Sequence, residues 1–400
     1  MRVLFVGGYK SPEFLRWDGK VNEGLGGLRK LPAILRALVM AGHEVRVISS
    51  AVSVESSFRI QPRTETVVEF PEGQVKTVHV ATTSLKPWGG LWACIATRRE
   101  ALKTAVEWQP DVVCAYNGLL AESMSLTAIH KRMGTPLVVE VEDVAGVRSR
   151  GMNPKPLLDR LGWKTLKDRI AGFILINKSL VQILECGIRP WMLLPGVVDE
   201  QLVRLASARS LPFSGVTRRV IYTGGLSSDR GADRLLASLE FLPPGWQLVV
   251  SGAGPLAVDF KKAEEKDPNR CRSLGFVPLA EMYREMTTAD VTINTPEKLT
   301  EQGGVFPFKM FEYIASGTHI ISPKLPDVGG PSLKFFQRWD GSPTQLGGLL
   351  QRAESDYNAE SKERNAARDW VLSNFDLPGI SRNIDQLLKS VVKNRPTAVR

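Results

Sequence analysis

The chain has 400 residues, more than one hydrophobic core comfortably organises, so two domains are expected. Its 43% hydrophobic and 24% charged residues are the composition of an ordinary globular protein and exclude a disordered or fibrous one. The net charge of +10 is spread over both halves and accompanies no nucleic-acid-binding motif, so no nucleic-acid partner is expected.

The first half alternates strand-like and helix-like segments. An apolar run at 3–6 ends in Gly7-Gly8, the usual strand exit of a nucleotide-type α/β unit. A glycine loop at 24–27 precedes a helix expected from about 28 to 41, with Gly42 as its stop. Further strands are expected at 44–48, 77–80, 111–115, 137–141 and 173–176, with helices between them. This alternation predicts a parallel sheet with helices on both faces. The pattern loosens after Pro195-Gly196 and restarts at 220–224, followed by strands at 248–252, 273–277, 291–294 and 319–322. The expected division is therefore an N-terminal domain over 1–198, a second α/β domain over 199–370 and a terminal helical segment over 371–400. That tail contains a helix break at Asp376-Leu377-Pro378-Gly379.

Gly26-Gly27 is not a dinucleotide fingerprint, because the Gly-x-Gly-x-x-Gly spacing fails at Arg29 and no Walker lysine pattern occurs. Two glycines ahead of a helix still allow a ligand close to the backbone. In the second half, Gly224-Gly225 again follows a strand, with Asp229 as a helix-cap candidate and Arg230 beside it. The stretch 307–317 reads as a short helix, with Pro307 in its first turn and Gly317 just past its end. Met310, Phe311 and Ile314 share one face, and Lys309, Glu312 and Ser316 the other. Lys309 supplies a point charge for phosphate and Glu312 a carboxylate that can accept from two sugar hydroxyls; a surface ion pair is the alternative. Arg230 and Lys309, both near helix starts at strand exits of one sheet, favour the ligand reading.

Glu140, Glu142 and Asp143 end a predicted strand at the sheet edge where open α/β sheets bind ligands. Glu142 or Asp143 could orient an acceptor hydroxyl, or both could be solvated or capping carboxylates. The four histidines show no ligand spacing, and the four cysteines form no Cys-x-x-Cys, so no metal site is expected. The absence of a signal-peptide pattern and of any apolar run near the roughly 20 residues of a membrane span points to a cytoplasmic protein. Basic residues interleaved with Leu157, Leu158, Leu161, Trp163, Leu166 and Ile170 over 148–169, and with Trp88 and Trp92 over 86–103, fit either helices with solvated basic faces or a peripheral contact with an anionic membrane. The latter would place the protein on the inner membrane face.

The order Gly26-Gly27, Gly42-His43-Glu44-Val45, Pro110-Asp111-Val112-Val113, Gly224 to Gly231, Gly252-Ala253-Gly254-Pro255, Ala289-Asp290-Val291 and Phe306-Pro307-x-Lys309-x-x-Glu312-Tyr313-x-Ala315-Ser316-Gly317 resembles the retaining glycosyltransferases of family 4. Its Phe-Pro-x-Lys segment looks like the version found in enzymes of bacterial polysaccharide assembly. The resemblance spans nearly the whole chain. It implies a GT-B fold: two Rossmann-like domains with parallel sheets facing a cleft, and a terminal helix returning to the first domain. It also implies sugar transfer, with retention, from a nucleoside-diphosphate donor to a glycan or lipid-linked glycan acceptor, without a cofactor or bound metal. By position, Glu312 would bind the ribose, and Lys309 and Arg230 the diphosphate. The loop at Gly252 and the backbone of Phe276 and Val277 would border the base, and Gly26 and Gly27 would lie on the phosphate and acceptor side. The sequence departs from many members at Gly304, where they carry a glutamate eight positions before Glu312. A non-catalytic relative that binds a sugar nucleotide or a partner, and a nucleotide-sugar epimerase, are the alternatives.

Overall fold

The computed structural model describes residues 1–18, 26–52, 60–84, 88–142, 155–208, 212–295, 306–331 and 335–394. The chain forms two compact units. One comprises 1–176, 180–194 and 377–400, and the other 177–179 and 195–376.

The strands of the first unit are β1 (Arg2–Gly7), β2 (Glu44–Ser49), β3 (Ile60–Gln61), β4 (Thr64–Phe70), β5 (Gly73–His79), β6 (Thr82–Thr83), β7 (Val112–Tyr116), β8 (Leu137–Val141), β9 (Ile170–Leu175) and β10 (Trp191–Leu193). Eight of them form one sheet in the order β10-β9-β8-β7-β1-β2-β5-β4. It is parallel except for β4, which pairs antiparallel with β5 at the edge. Central strands such as Val3–Val6 and Val112–Ala115 are buried throughout, as a sheet covered on both faces requires. The helices are α1 (Pro12–Asp18), α2 (Gly26–Met40), α3 (Trp88–Trp108), α4 (Leu120–Met133), α5 (Lys155–Leu166) and α6 (Ser179–Ile183). Leu4, Val6, Val113, Leu126, Ile129, Val139 and Leu175 lie in one continuous core.

The second unit holds a six-stranded parallel sheet in the order β13-β12-β11-β14-β15-β16. Its strands are β11 (Arg218–Thr223), β12 (Trp246–Ser251), β13 (Cys271–Gly275), β14 (Val291–Ile293), β15 (His319–Ser322) and β16 (Gln337–Arg338). Its helices are α7 (Glu200–Ser207), α8 (Ala232–Ser238), α9 (Ala257–Lys266), α10 (Leu279–Thr288), α11 (Lys309–Ser316), α12 (Pro343–Ala359) and α13 (Ser361–Phe375). Val220, Leu248, Val250, Ile293, Ile321, Leu346 and Leu350 share its core.

The last helix, α14 (Leu377–Lys393), belongs to the first unit. It buries Ile380, Ile384, Leu387, Leu388 and Val391 and packs against α2, β9 and β10. A Cβ at Gly172 would fall 2.6 Å from the Val391 side chain, so this contact is tight.

Three elements differ from the sequence expectation. Gly26 and Gly27 are the first residues of α2, not a loop ahead of it. The tail breaks at Asp376 alone, and Leu377-Pro378-Gly379 form the first turn of α14; proline costs nothing there because the first-turn N–H groups have no helical partner. The chain divides at 194/195 and 376/377, not at 198/199 and 370/371. Helix α13 stays with the second unit because Trp370 and Phe375 pack on Phe311, the latter with ring centroids 4.7 Å apart.

Candidate functional site

The second unit gathers its charged groups where β11, β12, β13 and β14 end. Gly224 leaves β11 with φ +142 and donates its N–H to the Ser251 carbonyl at 2.9 Å. Gly252 leaves β12 with φ +151 and donates to the Gly275 carbonyl at 2.8 Å. A Cβ at Gly252 would fall 1.8 Å from the Gly224 carbonyl oxygen, so only glycine fits there. The strand exits therefore step past one another as bare backbone. Phe276 follows β13 and is 53% exposed, with Val277 half-buried beside it.

Both predicted cations flank the Gly224-Gly225 turn. Lys309 Nζ lies 3.6 Å from the Cβ position of Gly224, and Arg230 Cγ lies 3.4 Å from that of Gly225. The Lys309 ammonium stands 4.1 Å from the centroid of the Tyr222 ring, a cation–π contact that holds it over the strand exit. Tyr222 is fully buried, and its hydroxyl donates to the Gly225 carbonyl at 3.0 Å. Arg230 closes a 3₁₀ turn over Ser228–Arg230, and its carbonyl accepts from the Thr295 hydroxyl. Asp229 lies inside that turn and caps nothing; the Ser227 hydroxyl holds its carboxyl below the usual carboxylate range.

Helix α11 carries Lys309 in its first turn and Glu312 one turn on. The alternative of a surface ion pair does not hold: every residue from Met310 to Ser316 is buried. Glu312 is only 2% exposed, and its Oε1 accepts from the Tyr283 hydroxyl at 3.0 Å. A buried carboxylate held by a buried phenol is a built site and not a surface ion pair. Next to it, the Tyr313 hydroxyl accepts the Thr223 N–H at 3.1 Å and ties α11 to the end of β11. Burial pushes the Tyr313 hydroxyl well above its usual range, partly offset by the bonds from Thr223. Tyr222, Tyr283 and Tyr313 were not anticipated from the sequence. Their only signal is a tyrosine in an otherwise apolar buried run.

In the first unit, the predicted residues cluster at the corresponding edge of its own sheet. The Tyr116 hydroxyl donates to Glu142, whose N–H donates to Asn117 Oδ1 at 2.7 Å. Asp143 and Gly304 lie outside the described residues. Gly26 and Gly27 open α2, and one turn along it Lys30 forms an ion pair with Glu140, each side chain 1% exposed. Lys30 was legible: it lies on the apolar helical face with Ile34, Ala37 and Leu38. His79 stacks on Phe14, bonds the Ser11 hydroxyl at 2.9 Å, and is pushed by burial to about 4. It is therefore neutral at physiological pH. Among the described residues, no group of three or more histidine, cysteine, aspartate or glutamate side chains is arranged to hold a metal ion. No helix of the described residues is long and apolar enough to cross a membrane.

Residues 26–190 match the model of the glycosyl transferase 4-like domain. No curated protein sequence matches the chain significantly. Solved structures resemble it over almost its whole length. Sucrose-phosphate synthase from Thermosynechococcus elongatus is similar at 13% identity and TM-score 0.68, over 98% of this chain and all of that one. The Anabaena protein HepE, solved in complex with UDP, is similar at 15% identity and TM-score 0.63, over 98% and 100%. The lipopolysaccharide outer core galactosyltransferase WaaB is similar at 13% identity and TM-score 0.58, over 98% and 99%. At these identities the structures show the fold, which is therefore GT-B, and within it residues 26–190 are similar to a glycosyl transferase 4-like domain.

Proposed function

We propose that the protein transfers a hexose-type sugar, with retention, from a nucleoside-diphosphate donor to a glycan or lipid-linked glycan. One observation carries the donor assignment: Arg230 and Lys309 flank the same glycine turn, and Glu312 lies buried one helical turn from Lys309. The bare backbone at Gly224 and Gly252 lets a diphosphate come close to the two cations. Glu312 accepts from the two ribose hydroxyls, and Phe276 with Val277 borders the base. Charge developing on the departing diphosphate is stabilised by Arg230 and Lys309, already oriented before the bond breaks. These cations need no resident metal to do so, and turnover in excess chelator is expected to equal turnover without it. In the first unit, Glu142 receives the acceptor hydroxyl, with Tyr116 holding its carboxylate and Asn117 its backbone N–H.

A UDP-bearing structure of the same fold makes UDP the first probe. Calorimetric titration is expected to show UDP binding to the wild type and a loss of at least tenfold in Lys309→Ala, because one charge-assisted phosphate contact contributes about 1.5–3 kcal/mol. Equal affinity in the two proteins would remove the donor assignment. Retention is read by NMR of the anomeric proton of the product, and inversion would overturn that part alone.

A further inference from the structure

The donor and acceptor chemistry leaves one feature of the first unit unused. The first two turns of α3 expose Leu91, Trp92 (57%) and Ile95 (50%). The first two turns of α5 expose Leu157 (60%), Leu158 and Leu161 (50%). Six large apolar side chains on two short helical segments are not a scatter of single surface residues.

The topology brings the two segments to one end of the unit. Each helix precedes a strand of the parallel sheet and so runs antiparallel to it, with its first turns at the carboxyl edge of the strands. Asp159 of α5 accepts the N–H of Leu120 at the start of α4 at 3.0 Å, and a Cβ at Gly162 would fall 3.1 Å from Ser123 Cβ. Helix α4 packs against both α3 and α5, and its first ten residues are buried or half-buried. Helices α3 and α5 are thus two outer ridges on either side of a recessed α4, roughly 20 Å apart at ordinary interhelical spacing.

Their charges have one sign. Arg98, Arg99 and Lys103 on α3, and Arg160 and Lys164 on α5, are exposed beside the apolar residues. Of the acids on the two helices, Glu100 accepts from Arg63 at 2.7 Å, Asp159 is buried as the cap of α4, and the exposed Glu107 lies at the far end of α3. An exposed apolar ridge of leucine and tryptophan, rimmed by arginine and lysine, suits the headgroup region of an anionic bilayer. The tryptophan and leucines enter the acyl boundary, and the guanidinium groups stay at the phosphates. We propose that the first turns of α3 and α5 form a two-ridge docking surface for an anionic lipid bilayer. The surface includes part of the basic segment expected to contact membrane, but not all of it: Leu166 and Ile170 are buried and Trp163 is half-buried. Its other ridge, on α3, comes from the second such basic segment at 86–103, and the two together place the Tyr116–Glu142 edge on the membrane side of the sheet. Only the use of that edge for a lipid-linked acceptor rests on the proposed function.

Sedimentation of the full chain with vesicles of mixed phosphatidylglycerol and phosphatidylcholine, and of phosphatidylcholine alone, tests the surface. The wild type is expected to bind the anionic vesicles at low salt and to be released at high salt. The triple variant Trp92→Ser, Leu157→Ser, Leu161→Ser and the quadruple variant Arg98→Gln, Arg99→Gln, Arg160→Gln, Lys164→Gln are each expected to bind them about tenfold or more weakly. The same variants are titrated with UDP, and far-UV circular dichroism and melting midpoints equal to the wild type establish that both units are folded. Absence of vesicle binding by the wild type, or equal binding by both variants, would overturn the proposal. So would a wild-type dimer in sedimentation velocity that the triple variant dissolves, which would assign the ridges to a second copy. If UDP binds neither wild type nor variants, the donor reading fails while the vesicle result still decides this one.

Discussion

Replacing Tyr283 with phenylalanine deletes one oxygen and nothing else, which makes it the sharpest probe of the candidate donor site. That oxygen donates to Glu312 Oε1 at 3.0 Å, and neither residue is more than 2% exposed. A hydrogen bond to a charged acceptor contributes about 1.5–3 kcal/mol, and at 2% exposure little water replaces it when no ligand is bound. For a unit of this size each kcal/mol is about 2–4 °C in Tm, so Tyr283→Phe is expected to melt roughly 4–8 °C lower. Thermal stability alone would not distinguish a structural bond from one that aims the carboxylate. The discriminating measurement is calorimetric titration with UDP and with inorganic diphosphate. A carboxylate that holds ribose hydroxyls and loses its fixed rotamer weakens UDP binding several-fold while leaving diphosphate binding at Arg230 and Lys309 unchanged. A double-mutant cycle with Glu312→Gln isolates the coupling between the two side chains, expected at about 1–2 kcal/mol. Melting and UDP affinity both equal to wild type would refute the reasoning; so would equal weakening of UDP and diphosphate, since the site would then be acting as one loosened body.

Three further outcomes follow from other parts of the molecule. Gly252→Ala forces a Cβ to within 1.8 Å of the Gly224 carbonyl at φ +151; it is expected to cost about 3 kcal/mol or more in denaturant unfolding and to abolish UDP binding. Lys30→Met leaves Glu140 charged and buried and is expected to cost about 3–5 kcal/mol, whereas adding Glu140→Leu recovers most of the loss, both read by denaturant midpoint. Burial, reinforced by the Asp356 charge, raises Glu360 to about 7 from 4.5, so its stabilising contribution is complete below pH 4.5 and is lost as pH rises through 7. Glu360→Gln should therefore raise Tm at pH 8 and leave it nearly unchanged at pH 5. His319, pushed by burial to about 4, works in the opposite sense below 6.5 and is common to both proteins.

The parallel α/β architecture was legible because the buried strands are short apolar runs bounded by glycine, as at Val3–Gly7 and Val220–Gly224. The antiparallel β4 was not, because Thr64–Phe70 is an edge strand with charged and polar residues, and its partner β5 had been read only over its last residues. Lys309 and Glu312 were legible as candidate ligand-binding residues, but the burial of Glu312 was not. Helical periodicity records which side is apolar, and it cannot show that Tyr283, nearly thirty positions upstream, closes over the polar side. The start of α2 was missed for a local reason: glycine is a poor helix former, so Gly26 and Gly27 were read as loop. The apolar outer faces of α3 and α5 stood out in composition only as leucine and tryptophan among basic residues. Exposure separates Leu157 and Leu161 from Leu166, and exposure is a tertiary property.

Helix α14 sets an order in time. It is synthesised after the whole of the second unit, yet Ile384, Leu387 and Val391 complete the core around β9, β10 and α2 of the first. The other unit is, apart from 177–179, the single stretch 195–376, and it can close as soon as that stretch leaves the ribosome. The first unit then waits with the apolar face around Gly172 uncovered until the end of the chain arrives. A nascent chain stopped just after Asp376 would therefore carry a finished C-terminal unit and an N-terminal one still exposed to proteases and chaperones.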